Sequence, residues 1–580
     1  MTLSLSPALD AARVKLQKRP DFSVQFEGVP YVFGGTGTSS LGPLLFGDGP
    51  KFGDIDPLDG LVYTFGDTIE SSASLVKTLK VPTGFGSSVQ PEQGASSLSG
   101  VTIPILVSAE LLDTVSNYVL KGKRATIKAG FRDVDPAEWT TVQTNIVDDR
   151  DQWPDGLGYD ISTSSPDRLE KRQVFAVLST AINGGTAVTA SSTSAITVAS
   201  TTGFPTSGHI KLENEVIKYT STTATTFAGT ITRAQLGTVA AAHGDKSSVT
   251  EVFLLGHTHQ VPYTGHPVDI ALQVLVSTGG TTLSVYDKLP ARHGLGIDPD
   301  FIDFAAFAAV KTELTGVAYE FWIDKSVDAK QWLEQEIYKP NGMYQVIKGD
   351  GRISLKLFEP PEPDDDLVEL TDDNIVGLPR IAGNFQRQYN QLIWRFDWSL
   401  DGDKFLGSRV EDNTESQAKY GKLYTMPIEA RGLRTKFSDG TAGNAAAIAT
   451  ARSGRLFTRY AEPPASVSFD GLYSTFHIEP GDLVTFVSSF ALDHKKGRRG
   501  FGTYVLEIVS KSMNFAKGIM SFEALYTPFA GARYGQWGRV GDPDYLSATQ
   551  GDRDTYVFIG SSAVNPDGEM SNGDDPYRYQ

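Results

Sequence analysis

Three histidines stand close together, His257, His259 and His266. Imidazoles at such spacing are the first place to look for a metal ion. No acidic or orienting partner accompanies them in the sequence, so they are expected to be ordinary loop residues. The run Asp397-Trp398-Ser399-Leu400-Asp401-Gly402 opens like a calcium loop. Its twelfth position is Ser408, where that loop needs a bidentate glutamate. A hairpin turn at Asp401-Gly402 is the expectation, and residues 54–60 (DIDPLDG) read the same way. Lys495, Lys496, Arg498 and Arg499 surround Gly497 in the one dense basic run, which reads as a solvated hairpin tip.

Other catalytic signatures are missing. The sequence has no HExxH, no GxSxG and no GxxxxGK[ST]. It has no cysteine, which removes disulfides, thiolate metal sites and cysteine nucleophiles. Carboxylates are numerous, but none sits in an aromatic-rich run that would raise its pKa for glycoside chemistry. Catalytic, cofactor-binding and metal sites are therefore all expected to be none, and the chain is not expected to be an enzyme.

The elements that carry these residues fit a soluble, mainly β protein. With 580 residues, roughly three to five domains are expected. Hydrophobic content of 40% and charged content of 21% are ordinary for a globular chain. No apolar run is long enough for a transmembrane segment, and the N-terminal stretch lacks the pattern of a secretory signal. A formal net charge of −17 argues against a protein that wraps nucleic acid, though an acidic wall would let DNA slide past.

Period-two alternation marks a hairpin over residues 120–149. Ala125, Ile127, Ala129 and Phe131 share one face, and Thr126 and Lys128 the other. With the strand pair begun by Phe22, Val24 and Phe26, this hairpin closes a first β domain, 1–165. Residues 166–260 form a connector holding a small all-β module at 185–252, whose regular short strands argue against a Ser/Thr linker. Residues 261–360 carry helical punctuation. Pro267 opens one helix, Pro299 precedes a second, and Ser326 is expected to cap a third that buries Ala329, Trp332, Leu333 and Ile337. A hairpin then turns at Gly349-Asp350-Gly351. Residues 359–373 hold eight acids and three prolines and read as a linker. A second β domain spans 361–530, with its main helix at 442–461. The tail, 531–580, is rich in Gly and Asp and is expected to be extended or ordered by a partner.

Several stretches together resemble the tail hub (baseplate hub) proteins of tailed bacteriophages and gene-transfer particles. LKGKRATIKAGF with DPAEWTTVQTNIVDD is similar to the closing hairpin of that family's first tube-like barrel. HPVDIALQVLVSTGG with YDKLPARHGLGIDPDFIDFAAF resembles the helical segment that follows, and SVDAKQWLEQEIYKPNGMYQVIKGDGRISLKLF its helix and hairpin. RLFTRYAEPPASVSF with LYSTFHIEPGDLVTF resembles the second barrel. ENEVIKYT, ITRAQLGT and AAAHG look like a small β module of phage structural proteins. The resemblance implies two tail-tube-like β-barrels around an α/β middle. It implies a homotrimer whose six barrels join the sixfold tail tube to the threefold tip. Its partners would be the tail tube or distal tail protein ring, the tape-measure protein and a central fibre or tip protein. Phage DNA would pass through the lumen without specific binding. The location would be the virion tail tip, assembled in the host bacterial cytoplasm. The acidic tail has no counterpart in the family. The other readings are a receptor- or glycan-binding tail protein, through the 185–252 module, and a glycan hydrolase.

Overall fold

Residues 120–149 form the expected hairpin. Strand Arg124–Phe131 buries Ala125, Ile127, Ala129 and Phe131 completely and leaves Thr126 and Lys128 half-buried. It pairs antiparallel with Thr140–Gln152, Arg124 opposite Ile146, and on its other side with Pro20–Phe26, where Val24 lies opposite Ile127. The computed structural model describes residues 5–13, 20–27, 32–36, 62–63, 75–77, 82–106 and 120–526, apart from breaks at 132–133, 136–137, 157, 186, 281–283, 358–366, 384, 494–496 and 516, together with 558–559 and 577–578. The turn expected at 54–60 and most of the acidic tail lie outside the described residues.

The hairpin belongs to an eight-stranded sheet in the order 62–63, 75–77, 32–36, 20–26, 124–131, 140–152, 158–164, 102–106. A second sheet runs Val368–Leu370, Leu483–Asp493, Arg498–Asn514, Ile519–Tyr526, Ala465–Leu472, Ile375–Gly383. Gly86–Gln90 and Ala95–Leu98, from the N-terminal part of the chain, form a hairpin that adds to this second sheet, with Ser88 opposite Ser510. The inner faces of the two sheets share one core. Phe22 and Phe85 meet Phe515 at ring centroid distances of 5.3 and 4.8 Å, and Phe131 meets Tyr473 edge-on at 5.6 Å. Offset and edge-on geometry is what aromatic quadrupoles favour. Part of the run expected as a linker is ordered: Val368–Leu370 pairs parallel with Leu483–Asp493 and buries Leu370.

A second core fills the α/β middle. Helix Pro267–Val276 is buried on all sides, with His266 as its N-cap. Helix Phe304–Glu313 is capped by Asp303. The third helix is capped by Asp328, whose Oδ1 accepts from Gln331 N at 3.0 Å, and not by Ser326. Ser326 fails because residues 327–328 first make a two-residue strand. The expected stripe Ala329, Trp332, Leu333, Ile337 is buried. Over Leu333–Tyr338 the helix widens to π spacing just before Pro340. Proline has no N–H to bond the carbonyl four residues back, and its ring crowds that position. Gly342, at φ +68°, then ends the helix. Hairpin Met343–Ile347/Ile353–Leu357 follows. This core also takes in Leu392, Trp394, Phe396, Ile428, Ile448 and Ala449. Strand Gln391–Ser399 and helix Ala445–Tyr460, expected with the second β domain, thus pack on the α/β middle.

The inserted module has a core of its own around Ile182, Ile210, Ile217, Tyr219, Phe227 and Val249. Its last strand, Ser248–Gly256, is shared. The first part pairs with Ser179–Ala181 and Gly208–Leu212, and Phe253 to Gly256 pair with Glu320–Ile323 of the middle segment. The molecule is mainly β with an α/β middle. Everything above lies in one unit; a second unit holds the antiparallel pair Phe558–Ile559 and Tyr577–Arg578. Among the described residues no helix is long and apolar enough to cross a membrane.

Candidate functional site

The three histidines go to three different partners. His266 Nδ1 accepts from Val268 N at the helix start, and its Nε2 lies 2.9 Å from Leu314 O. Burial lowers its pKa. His257 stacks on Phe437, centroids 4.1 Å apart, with Nε2 2.9 Å from Asp439. His259 Nε2 lies 2.7 Å from Glu320 Oε1. Among the described residues, no three His, Asp or Glu side chains converge as a metal cluster.

His259, Glu320 and Ser438 have the residue types of a hydrolase triad. Ser438 Oγ is 3.3 Å from His259 Nε2 and also donates to Glu320 Oε1. A nucleophile relay needs the two imidazole nitrogens on different partners, one toward the hydroxyl and one toward the acid. Here Nε2 faces both. Trp322 Nε1 and Ser438 N donate to the other oxygen of Glu320, at 3.0 and 2.9 Å. Burial works to raise the Glu320 pKa, but the donors from His259, Ser438 and Trp322 outweigh it and hold the carboxylate ionised. The arrangement pins the loop 434–440 to strand Glu320–Ile323.

That loop borders an open cleft of about 570 Å³. Leu236 and Gly237 come to it from the module, Trp322 and Trp398 from two strands of the body, and Asp397 and Asp439 add carboxylates. Asp397 sits where the calcium-loop comparison began. Its strand ends in a hairpin, Trp398 opposite Phe405 and Ser399 opposite Lys404, with the turn at residues 400–403. The basic run joins strands Leu483–Asp493 and Arg498–Asn514; Arg499 is exposed there, and Lys495 and Lys496 lie outside the described residues.

Two buried polar networks hold the pieces together. In the module, Glu215 accepts from Arg233 Nε and Nη2, both at 2.6 Å, and lies 2.8 Å from His243 Nε2. Arg233 also donates to the carbonyls of Thr189, Ser192 and Ala241. Burial opposes the charge of Glu215, yet these donors bring its pKa down to about 2. The three residues come one each from ENEVIKYT, ITRAQLGT and AAAHG, so those motifs are spaced to meet at one ion pair. The second network joins the middle hairpin to both sheets. Thr144 donates to Gly349 O at 2.9 Å, Gly349 N to Glu479 at 2.9 Å, and Tyr344 to Glu507 at 2.9 Å. Lys356 pairs with Asp482 at 3.1 Å, and Arg459 with Glu507. Burial and the neighbouring Asp482 raise the Glu479 pKa, and burial lowers that of Lys511 beside it. No sequence signal marked Glu320, Trp322, Arg434 or Ser438, because loop 434–440 meets strand Glu320–Ile323 across more than a hundred residues.

No family model matches the sequence, and no curated protein matches it. Among solved structures, the chain is similar to prophage tail protein gp18 from Listeria monocytogenes, at 9% identity and TM-score 0.34, over 76% of this chain and 87% of that one. It is similar to the 43 kDa tail protein of prophage MuSo2 from Shewanella oneidensis, at 10% identity and TM-score 0.33, over 77% and 95%. A chain of a native gene transfer agent virion matches at 11% identity and TM-score 0.30, over 59% and 80%.

Proposed function

We propose that this chain is a structural protein of a phage-type tail, and within it the tail hub. The observation that carries the reading is the pair of eight-stranded sheets closing on one core, one sheet drawn from the N-terminal part of the chain and the other mostly from the C-terminal part, with the α/β middle between them in sequence. The order of segments resembling the hub family supports it, as do the acidic charge and the lack of cysteine. In this reading three copies form a ring between the sixfold tube and the threefold tip, contact the tube or distal tail ring, the tape-measure protein and a central fibre, and let DNA pass an acidic lumen. The chain works by position and not by turnover.

Native mass spectrometry of the purified chain, alone and with its tail-tube neighbour, tests this. The expected species is a trimer, or a monomer that becomes a trimer on the tube. A stable dimer indifferent to the tube, or absence of the chain from purified particles, would overturn the hub reading.

A further inference from the structure

The cleft between module and body brings together tryptophans, carboxylates and hydroxyls that also hold loop 434–440 in place. Trp322 and Trp398 are half-buried within it, each with a guanidinium over its ring, Arg434 at 3.6 Å and Arg431 at 4.5 Å. Such stacking fixes the indoles in place. Asp397 is held by Thr435 N at 2.8 Å and Thr435 Oγ1 at 2.7 Å, and Asp439 by Thr441 and His257. Each carboxylate is pre-oriented and keeps lone pairs to spare. Leu236, Asp397 and the neighbouring His257 have φ of +53°, +57° and +41°, values that cost energy in non-glycine residues and gather at functional sites. Arg434 is 2% exposed, and its Nη2 has no hydrogen-bond partner among the described residues.

The balance of groups selects the ligand. Asp397 and Asp439 line the cleft, Arg431 and Arg434 are engaged on the two indoles, and Lys436 is the exposed cation of the lining, so a phosphate or polyanion would meet at least as much repulsion as attraction. A purely apolar chain would strip water from the remaining lone pairs of the carboxylates and put nothing in its place. A pyranose satisfies both sides: its C–H face covers an indole and its hydroxyls donate to the carboxylates. We propose that this cleft is a carbohydrate-binding site for a pyranose oligosaccharide. The assignment does not rest on the tail reading, since it concerns the chain alone.

Tryptophan fluorescence and calorimetric titration of the full-length chain with chitotetraose, maltotetraose, mannotetraose and bacterial surface polysaccharides test it. At least one sugar should give a saturable response, weakened about tenfold or more by Trp398→Ala and by Asp439→Asn. Asp439 is exposed, so its variant reads the site without disturbing a core, and its circular dichroism melt should match the parent; Trp398→Ala also loses packing on Phe405 and should melt lower while staying folded at the titration temperature. A flat titration across the whole panel would overturn the assignment, as would a response that both variants leave intact.

Discussion

Glu170 is fully buried, with one oxygen accepting from Gln345 Nε2 at 2.7 Å. Burial pushes its pKa up to about 8, against the pull of Lys330; Asp167 and Glu334 nearby push the same way as burial. The folded state therefore holds a proton that the unfolded chain releases near pH 4.5. That contribution is fully present below pH 4.5 and is lost as pH rises through about 8. Glu170→Gln keeps the hydrogen bond and cannot ionise. Its stability advantage over the parent should grow between pH 5 and 8.5 and reach the order of 3 kcal/mol, read from urea melts across that range. A constant difference would show that Glu170 does not titrate on folding. Residues of this kind were invisible in the sequence. Phe131 announced its burial by period-two spacing, a local property. Glu170 depends on Gln345 and Lys330, which lie far along the chain, and no spacing encodes that.

At the scale of elements, the hairpin 120–149, the helix at Pro267 and the turn at Gly349-Asp350-Gly351 were all legible, because alternation, an N1 proline and turn glycines act over a few residues. What was not legible is what the elements rest on. Gly351 has φ +83°, and a Cβ there would lie 2.9 Å from Thr144 Cβ. The turn glycine is thus also the point where the middle hairpin seats on the first sheet. Gly351→Val should cost about 2–4 kcal/mol through strain and clash. It should raise amide exchange in both hairpin strands, while helix Pro267–Val276 keeps its protection. Phe131 reads the other way. Its ring packs on Tyr473 and Phe476, in the short helical turn that joins strands Ala465–Leu472 and Leu483–Asp493 of the second sheet. Phe131→Asp would bury an unpaired charge at a cost of several kcal/mol. Both sheets should then lose protection together, in strands as distant as 20–26 and 519–526. If only the first sheet melted, the shared core would be wrong.

For the whole molecule, the sequence pointed to a folded module but set its edge at 252, inside a strand. Ser248–Gly256 alternates like any module strand, and nothing in its pattern says that its second half pairs with Glu320–Ile323. The observed pairing tells where the module can be removed. Ala181 lies opposite Ser248 on antiparallel strands. Replacing residues 182–247 with Asn-Gly would join them through a two-residue hairpin turn, the tightest connection antiparallel strands accept. The excision removes the module core but leaves Phe253 to Gly256 in place on the body. It also removes the Lys211–Asp324 ion pair at 2.7 Å and the packing of Val216 on Val252 and Leu400. These are small contacts, with a combined cost to the body of about 1–3 kcal/mol. The shortened chain should therefore stay soluble and unfold cooperatively, a few degrees below the parent by circular dichroism. It should also keep whatever oligomer the parent forms in native mass spectrometry, because neither the two-sheet core nor the α/β core loses a strand. A shortened chain that aggregates would make the module part of the body's fold. One that folds but loses its oligomer would place the subunit contact on the module, and the ring proposed for the two sheets would have to be redrawn around it.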